Sequence, residues 1–321
     1  MKPIVVYPMP LDKINDLSAC TDYDTMQSYF IHKYAKDRSI SVGTPFKWMS
    51  KRSNVKYQDL CNYLKRSCID IKSINDIILA GVNSTKWFSD DDLQTINNLI
   101  KGKLYKIDDS NYFQDQYSFV FSHYTRDSRP SDRSIELSLA VASDLFVPQQ
   151  NWIDNTLVVH IDHRWNKTER LNCFDEIKNV LHDLKKITYS HNKWTQLEIY
   201  YHTDKITDIE RIGTYDPSQL SITKLSKIYG RCHLAFVSHA ETLGQYPLEM
   251  LSSGATVISH KKMIPREIRK LYPFINLEKI NLEKILNNLT EITSQENRKS
   301  ILHFDYKNWV DKIFNHLTTE E

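Results

Sequence analysis

Short apolar runs alternate with longer amphipathic stretches along the whole of this chain, and no other feature constrains its fold as strongly. A strand that leads into a helix and then into another strand buries its apolar faces only by layering helices on a mostly parallel sheet. The apolar runs predict strands over residues 3–7, 76–80, 103–107 and 118–122, then 156–161, 196–201, 234–238 and 255–259. The amphipathic stretches predict helices over 55–66, 90–100, 171–187, 221–229 and 246–252. Ser89 is placed to cap the helix that begins Asp90, Asp91, Asp92, and this acidic trio reads as a favourable helix start, not as a metal site.

The pattern breaks near the middle, at the polar stretch 127–133 with Pro130 and the turn-like stretch 146–151 with Pro148, and restarts at Thr156. At 321 residues the chain has the length of two domains of ~100–200 residues, or of one large one. The expectation is two Rossmann-like α/β lobes facing across a cleft, residues 1–145 and 146–321, with the last helix crossing back onto the first lobe. Ligands of such lobes bind at the carboxyl ends of the parallel strands. Composition removes other classes: 40% hydrophobic and 26% charged residues fit neither a disordered nor a collagen-like chain. Five scattered cysteines without a CxxC pair argue against a disulfide framework or a structural zinc site and suit a reducing cytoplasm. No apolar run approaches the ~20 residues of a membrane span. Among 7 glycines there is neither GxGxxG nor GxxxxGK[ST], which excludes two standard phosphate loops.

The chemistry concentrates in residues 234–259, LAFVSHAETLGQYPLEMLSSGATVIS, which read strand, loop, helix, turn, strand. Pro247 suits the first position of a helix, where its missing donor costs nothing. Gly244 and Gln245 precede that helix, so their amides and the helix dipole face an anion at the strand end. Glu241 and Glu249 flank the site with seven residues between them. Two carboxylates around an amide-lined anion site suit a nucleotide sugar: one accepts from ribose hydroxyls, the other from sugar hydroxyls.

This segment resembles the E-x7-E signature of retaining GT-B glycosyltransferases of the family-4-like group. ITKLSKIYGRCHLAFVSHAETLG (222–244), LAVASDLFVP (139–148) and the terminal FDYKNWVDKIFNHL (304–317) extend the likeness to about half of the chain. The resemblance implies that Glu241 holds donor-sugar hydroxyls and Glu249 ribose hydroxyls, while Leu243, Gly244 and Gln245 offer amides to the phosphates. It also implies an Arg and a Lys after the first strand of the second lobe. VVHIDHRWNKTER (158–170) supplies Arg164 and Lys167, with Arg170 behind, at a spacing shorter than the family's. Cations there stabilise the departing diphosphate. Such enzymes generally need no bound metal or other cofactor, and HIDH (160–163) is a weak metal candidate. The glycine-rich first loop common in the family is replaced by YPMPLDKINDLSAC (7–20).

Overall charge is only +2, yet between Lys33 and Arg66 nine basic residues meet two acidic ones, a local +7 interleaved with Tyr34, Phe46, Trp48, Tyr57 and Tyr63. Cations with aromatics suit a polyanion that carries bases, with Lys47, Lys51, Arg52 and Lys56 as phosphate contacts; the bland alternative is a solvated face over buried rings. GKLYKIDDSNYF (102–113) and SFVFSHYTRDS (118–128) resemble two strand ends of the retaining phage DNA α-glucosyltransferases, which implies a catalytic carboxylate at Asp108 and a 5-hydroxymethylpyrimidine acceptor in double-stranded DNA. Plain turn chemistry also accounts for Asp108 and Asp109. The expectation is therefore a cytoplasmic (for a phage protein, host-cytoplasmic) transferase using a nucleotide diphospho-sugar. A saccharide acceptor, a nucleotide-sugar epimerase or phosphorylase, and a non-catalytic nucleic-acid-binding protein of the same fold are the alternatives.

Overall fold

A computed structural model describes residues 2–7, 9–20, 23–43, 62, 64, 69–80, 90–108, 119–123, 134–137, 140–162, 173–201, 213–214, 221–239, 244–264, 269–271 and 273–319. The chain divides into two compact units, Met1–Ser138 with Tyr306–Glu321, and Leu139–Asp305.

In the first unit the order is β1 (Ile4–Tyr7), α1 (Leu11–Ile14), α2 (Tyr23–Ala35), β2 (Ile40–Gly43), β3 (Ile77–Leu79), α3 (Asp90–Leu99), β4 (Leu104–Asp108), β5 (Phe119–His123) and β6 (Ser134–Leu137). Its six strands are all parallel, in the order β2-β1-β3-β4-β5-β6. Chain direction across the sheet reverses between β1 and β3, the topological switch point. Ile4, Val6, Ile77, Leu79 and Leu104 of the strands pack with Leu93 and Ile96 of α3 in one core cluster.

The second unit runs β7 (Thr156–Ile161), α4 (Phe174–Ser190), β8 (Gln196–Tyr201), β9 (Gly213–Thr214), α5 (Ile222–Arg231), β10 (Leu234–Val237), α6 (Gln245–Ser252), β11 (Thr256–Ser259), β12 (Ile275–Asn276), α7 (Leu282–Asn288) and α8 (Glu291–Ile301). Its sheet is also wholly parallel, in the order β12-β11-β10-β7-β8-β9. Numbered within the unit this is the dinucleotide-fold order 3-2-1-4-5-6, with the switch point between β7 and β10. Every residue of β7 and β10 is buried, as expected for strands covered on both faces. The last helix, α9 (Tyr306–Thr319), belongs to the first unit: Tyr306 stacks on Phe30 of α2 at 4.8 Å, and Arg38 pairs with Asp311 at 2.8 Å.

The stretch from Ala140 to Phe146 lies with the second unit, and Arg298 of α8 explains its anchorage. The guanidinium donates to the carbonyls of Ser143 and Phe146, each at 2.7 Å, and of Ser252 at 2.8 Å. Charged donors on buried carbonyls are among the stronger hydrogen bonds. Gln150 adds a second staple, its Nε2 donating to the carbonyls of Cys232 at 2.8 Å and Ser253 at 2.7 Å.

The eight strands expected from apolar runs all form, within a residue or so at either end. Sequence patterning omits β2, β6, β9 and β12 and the helices α1, α2, α7 and α8. The four strands have only two to four residues, too few for a period to show. In α2, Thr25, Met26, Gln27 and Ser28 are consecutive and buried, so no polar stripe marks the helix. Ser89 and most of 55–66 lie outside the described residues.

Candidate functional site at the switch point of the second sheet

Beyond β10 the chain continues through Ser238 and His239, and α6 begins at Gln245. Its N-cap, Gly244, has φ 70° and ψ 25°, the left-handed region where a Cβ is penalised. The first intrahelical bond closes there, Leu248 N to Gly244 O at 3.2 Å. Pro247 is the third helical residue, not the first as the sequence suggested, because the helix starts two residues before it, at Gln245. The whole first turn lacks intrahelical acceptors, so proline is equally tolerated at that position. Gly254, with φ 83°, closes the other end in a Schellman motif: Ala255 N reaches Met250 O and Gly254 N reaches Leu251 O, both at 2.9 Å. A Cβ on Gly254 would lie 2.0 Å from Ser294 Oγ. Two of the chain's few glycines thus set the length of this one helix.

Residues 246–252 of α6 are all buried. Glu249 is 6% exposed and accepts from Gln245 Nε2 at 3.0 Å, across one helical turn. Tyr246 turns its hydroxyl to His160 Nδ1 of β7 at 2.7 Å, and both rings pack with Tyr229 of α5. His160 is therefore a packed core histidine, which corrects the metal reading of HIDH at that residue; His163 lies outside the described residues. No group of three metal-ligating side chains occurs among the described residues.

Across the switch point, His239 Nδ1 stands 2.6 Å from Asp162 Oδ2, with both side chains largely buried. Asp162 is fixed by its backbone as well: its N–H donates to Phe236 O at 2.9 Å, and its carbonyl accepts from Ser238 Oγ. Cys173, where the chain is next described, donates from its N–H to Ser238 O at 2.9 Å. The described residues on either side of 163–172 are therefore both tied to the extension of β10. Cys173 caps α4, and burial, with Glu176 adding to it, pushes its thiol up to about 12. It stays protonated near neutrality. At the next strand end, His260 Nδ1 accepts from Lys262 N at 3.0 Å, so Nε2 carries the proton toward Glu278 Oε1 at 3.0 Å.

Of the residues singled out from sequence, Gly244, Gln245 and Glu249 are brought together at the start of α6. Asp108 is the last residue of β4, in register with Ser122 of β5. Glu241, Leu243, Arg164, Lys167, Lys47, Lys51, Arg52 and Lys56 lie outside the described residues, as does Arg170. Within the basic segment, Arg38 is committed to Asp311 and to the face of Phe314 at 4.7 Å, and Lys33 lies over Phe30 and Tyr34. Those cations and rings make intramolecular contacts at that end of the segment. Sequence reasoning missed the Asp162–His239 pair. The two residues follow different strands, and only the strand order reveals that those strands are neighbours.

The chain matches no protein-family model and no curated protein sequence. Solved structures do match along its length. Sucrose-phosphate synthase from Thermosynechococcus elongatus superposes with a TM-score of 0.58 at 10% identity, covering 100% of both chains. HepE from Anabaena, solved in complex with UDP and glucose, gives 0.56 at 10% identity over 99% of this chain and 100% of its own. UDP-GlcNAc 2-epimerase from Methanocaldococcus jannaschii gives 0.56 at 11% identity over 99% and 100%. At these identities the likeness is one of architecture, and with two wholly parallel sheets the fold is GT-B.

Proposed function

We propose that this protein is a retaining glycosyltransferase that moves a sugar from a nucleotide diphospho-sugar to a hydroxyl acceptor. One observation carries the reading: a buried carboxylate, Glu249, lies one turn inside a helix that opens through a left-handed glycine beside the switch point of a 3-2-1-4-5-6 sheet. Amides at the start of α6 and the helix dipole receive the diphosphate. Glu249 accepts from the ribose, Glu241 from the donor sugar, and Arg164 and Lys167 neutralise the leaving group. As the anomeric carbon–oxygen bond to the diphosphate breaks, the acceptor oxygen bonds to the same face. The acceptor's proton passes to the departing phosphate oxygen, so the step needs neither a dedicated base nor a metal. The UDP and glucose bound by HepE support a donor of this class.

For the acceptor we propose a 5-hydroxymethylpyrimidine in duplex DNA, flipped out of the stack to reach the reacting carbon. The local charge of +7 over residues 33–66 supports this choice, with Lys47, Lys51, Arg52 and Lys56 on phosphates and Asp108 assisting transfer. The test is product analysis: labelled UDP- and GDP-sugars are incubated with hydroxymethylated duplex and with saccharide acceptors. Label on the duplex with the anomeric configuration of the donor is the expected result. Label on saccharide alone moves the acceptor to that class. An epimerised or phosphorolysed donor without transfer, or no conversion at all, contradicts the transferase reading.

A further inference from the structure

The side chain of Gln245, the first residue of α6, uses one of its amide's two donors within the helix. Its Nε2 donates to Glu249 Oε1 at 3.0 Å, which fixes the amide orientation, since the flipped form would set two acceptor oxygens against each other. The amide oxygen Oε1 is buried and has no hydrogen-bond partner among the described residues. Buried acceptors without a donor are uncommon, because leaving one unmet costs its full desolvation penalty. Here the cost falls one turn from a buried carboxylate, at the first residue of the helix beside the switch point. Two acceptors thus stand side by side, a carboxylate and an amide oxygen held in place by the bond between them. A ligand matching this pair carries two adjacent donors, as the two hydroxyls of a vicinal diol do.

We propose that Gln245 is a specificity-determining residue for the ribose of the donor: Glu249 accepts from one hydroxyl of its cis-diol and the amide oxygen of Gln245 from the other. This deepens the nucleotide-sugar reading and rests on it. Because Gln245 Nε2 already occupies one oxygen of Glu249, the carboxylate is poorly placed to take both hydroxyls, and the amide completes the set. The terminal torsion of a glutamine is soft, so a modest turn meets an incoming hydroxyl while Nε2 remains near Glu249. Oxygen for oxygen, the arrangement selects ribonucleotides over deoxyribonucleotides without a charged group at the second hydroxyl.

Calorimetric titration with UDP and GDP, followed by the 2′-deoxy and 3′-deoxy forms of whichever binds, tests the proposal in wild type and in Gln245→Met, which keeps length and removes both polar atoms. In wild type each deoxy form should bind about tenfold more weakly, the value of one hydrogen bond. In Gln245→Met one of the two deoxy forms should bind as tightly as its parent, while the other keeps its penalty. Gln245→Asn, one methylene too short to reach, should behave likewise, and melting curves establish that both variants are folded. Undiminished penalties for both deoxy forms in both variants overturn the role of Gln245 and leave the nucleotide reading standing. Absence of binding by any nucleoside diphosphate to wild type overturns the nucleotide reading itself.

Discussion

The two sheets share strand number and direction, yet their switch points are chemically opposite. In the first unit β1 ends in Tyr7 and β3 is followed by Ala80, both buried. Burial raises the Tyr7 hydroxyl far above its usual range and, with Lys36 adding, lowers the neighbouring His32, so both are neutral near pH 7. His32 packs edge-on against Tyr7 and shares a hydrogen bond with Ser41 at 2.9 Å. In the second unit the same topological position holds the Asp162–His239 pair, with Gln245 and Glu249 at the start of the helix that follows β10. A parallel sheet offers a crevice wherever its order reverses. What lines that crevice differs between the two sheets: among the described residues, the ionisable Asp162–His239 pair stands at the second and the buried Tyr7 and Ala80 at the first.

The largest effect that can break this contrast comes from the buried pair. Asp162→Ala should lower the unfolding free energy by roughly 3 kcal/mol or more in urea titrations, since a buried partner left behind is costly. A change below about 1 kcal/mol would mean that the pair is not structurally coupled. Nearly as large is a pH effect in the same unit. His233, boxed between Trp152 and Trp194, is pulled down to about 4, chiefly by burial and then by the Lys193 ammonium. An unfolded histidine binds its proton near 6.5, so the neutral folded form is fully stable above that pH and loses stability down to about 4. The loss amounts to on the order of 3 kcal/mol, and His233→Gln should flatten the corresponding fall in melting temperature. An unchanged acid slope in that variant would place the sensitivity elsewhere.

Most of the framework was legible in the sequence because it is written locally. Runs such as LAFV and TLVVHI announce buried parallel strands, and the spacing from Gly244 to Glu249 lies within a single turn-and-helix. Gly244 and Gly254 mark where that helix must start and stop. Legibility fails where partners are distant in the chain. Asp162 meets His239 only because β7 and β10 are neighbours, and Arg298 reaches Ser143, Phe146 and Ser252 only once α8 has docked. It fails also where a segment is buried nearly all round, as in α2, and the basic run beginning at Lys33 looked freer than Arg38 proves to be.

Smaller effects sharpen the comparison. Gly244→Ala should cost about 1–2 kcal/mol, the penalty for a Cβ at left-handed φ, measurable by denaturant unfolding. It should weaken anion binding at the same time, because the helix start shifts with it. In the first unit the partly exposed Arg38–Asp311 pair predicts the smallest change: Asp311→Ala should cost less than about 1 kcal/mol, as surface ion pairs do. A loss as large as that of Asp162→Ala would erase the distinction between the two units.

Isothermal titration of wild type and Glu249→Ala with UDP and GDP tests the central claim most directly. Wild type should bind at least one of the two. The variant, shown to be folded by its melting curve, should bind the same nucleotide roughly ten- to a hundredfold more weakly, the value of a hydrogen bond to a charged acceptor. Equal affinity in both proteins, or no heat with either nucleotide in wild type, would contradict a nucleotide site at the start of α6.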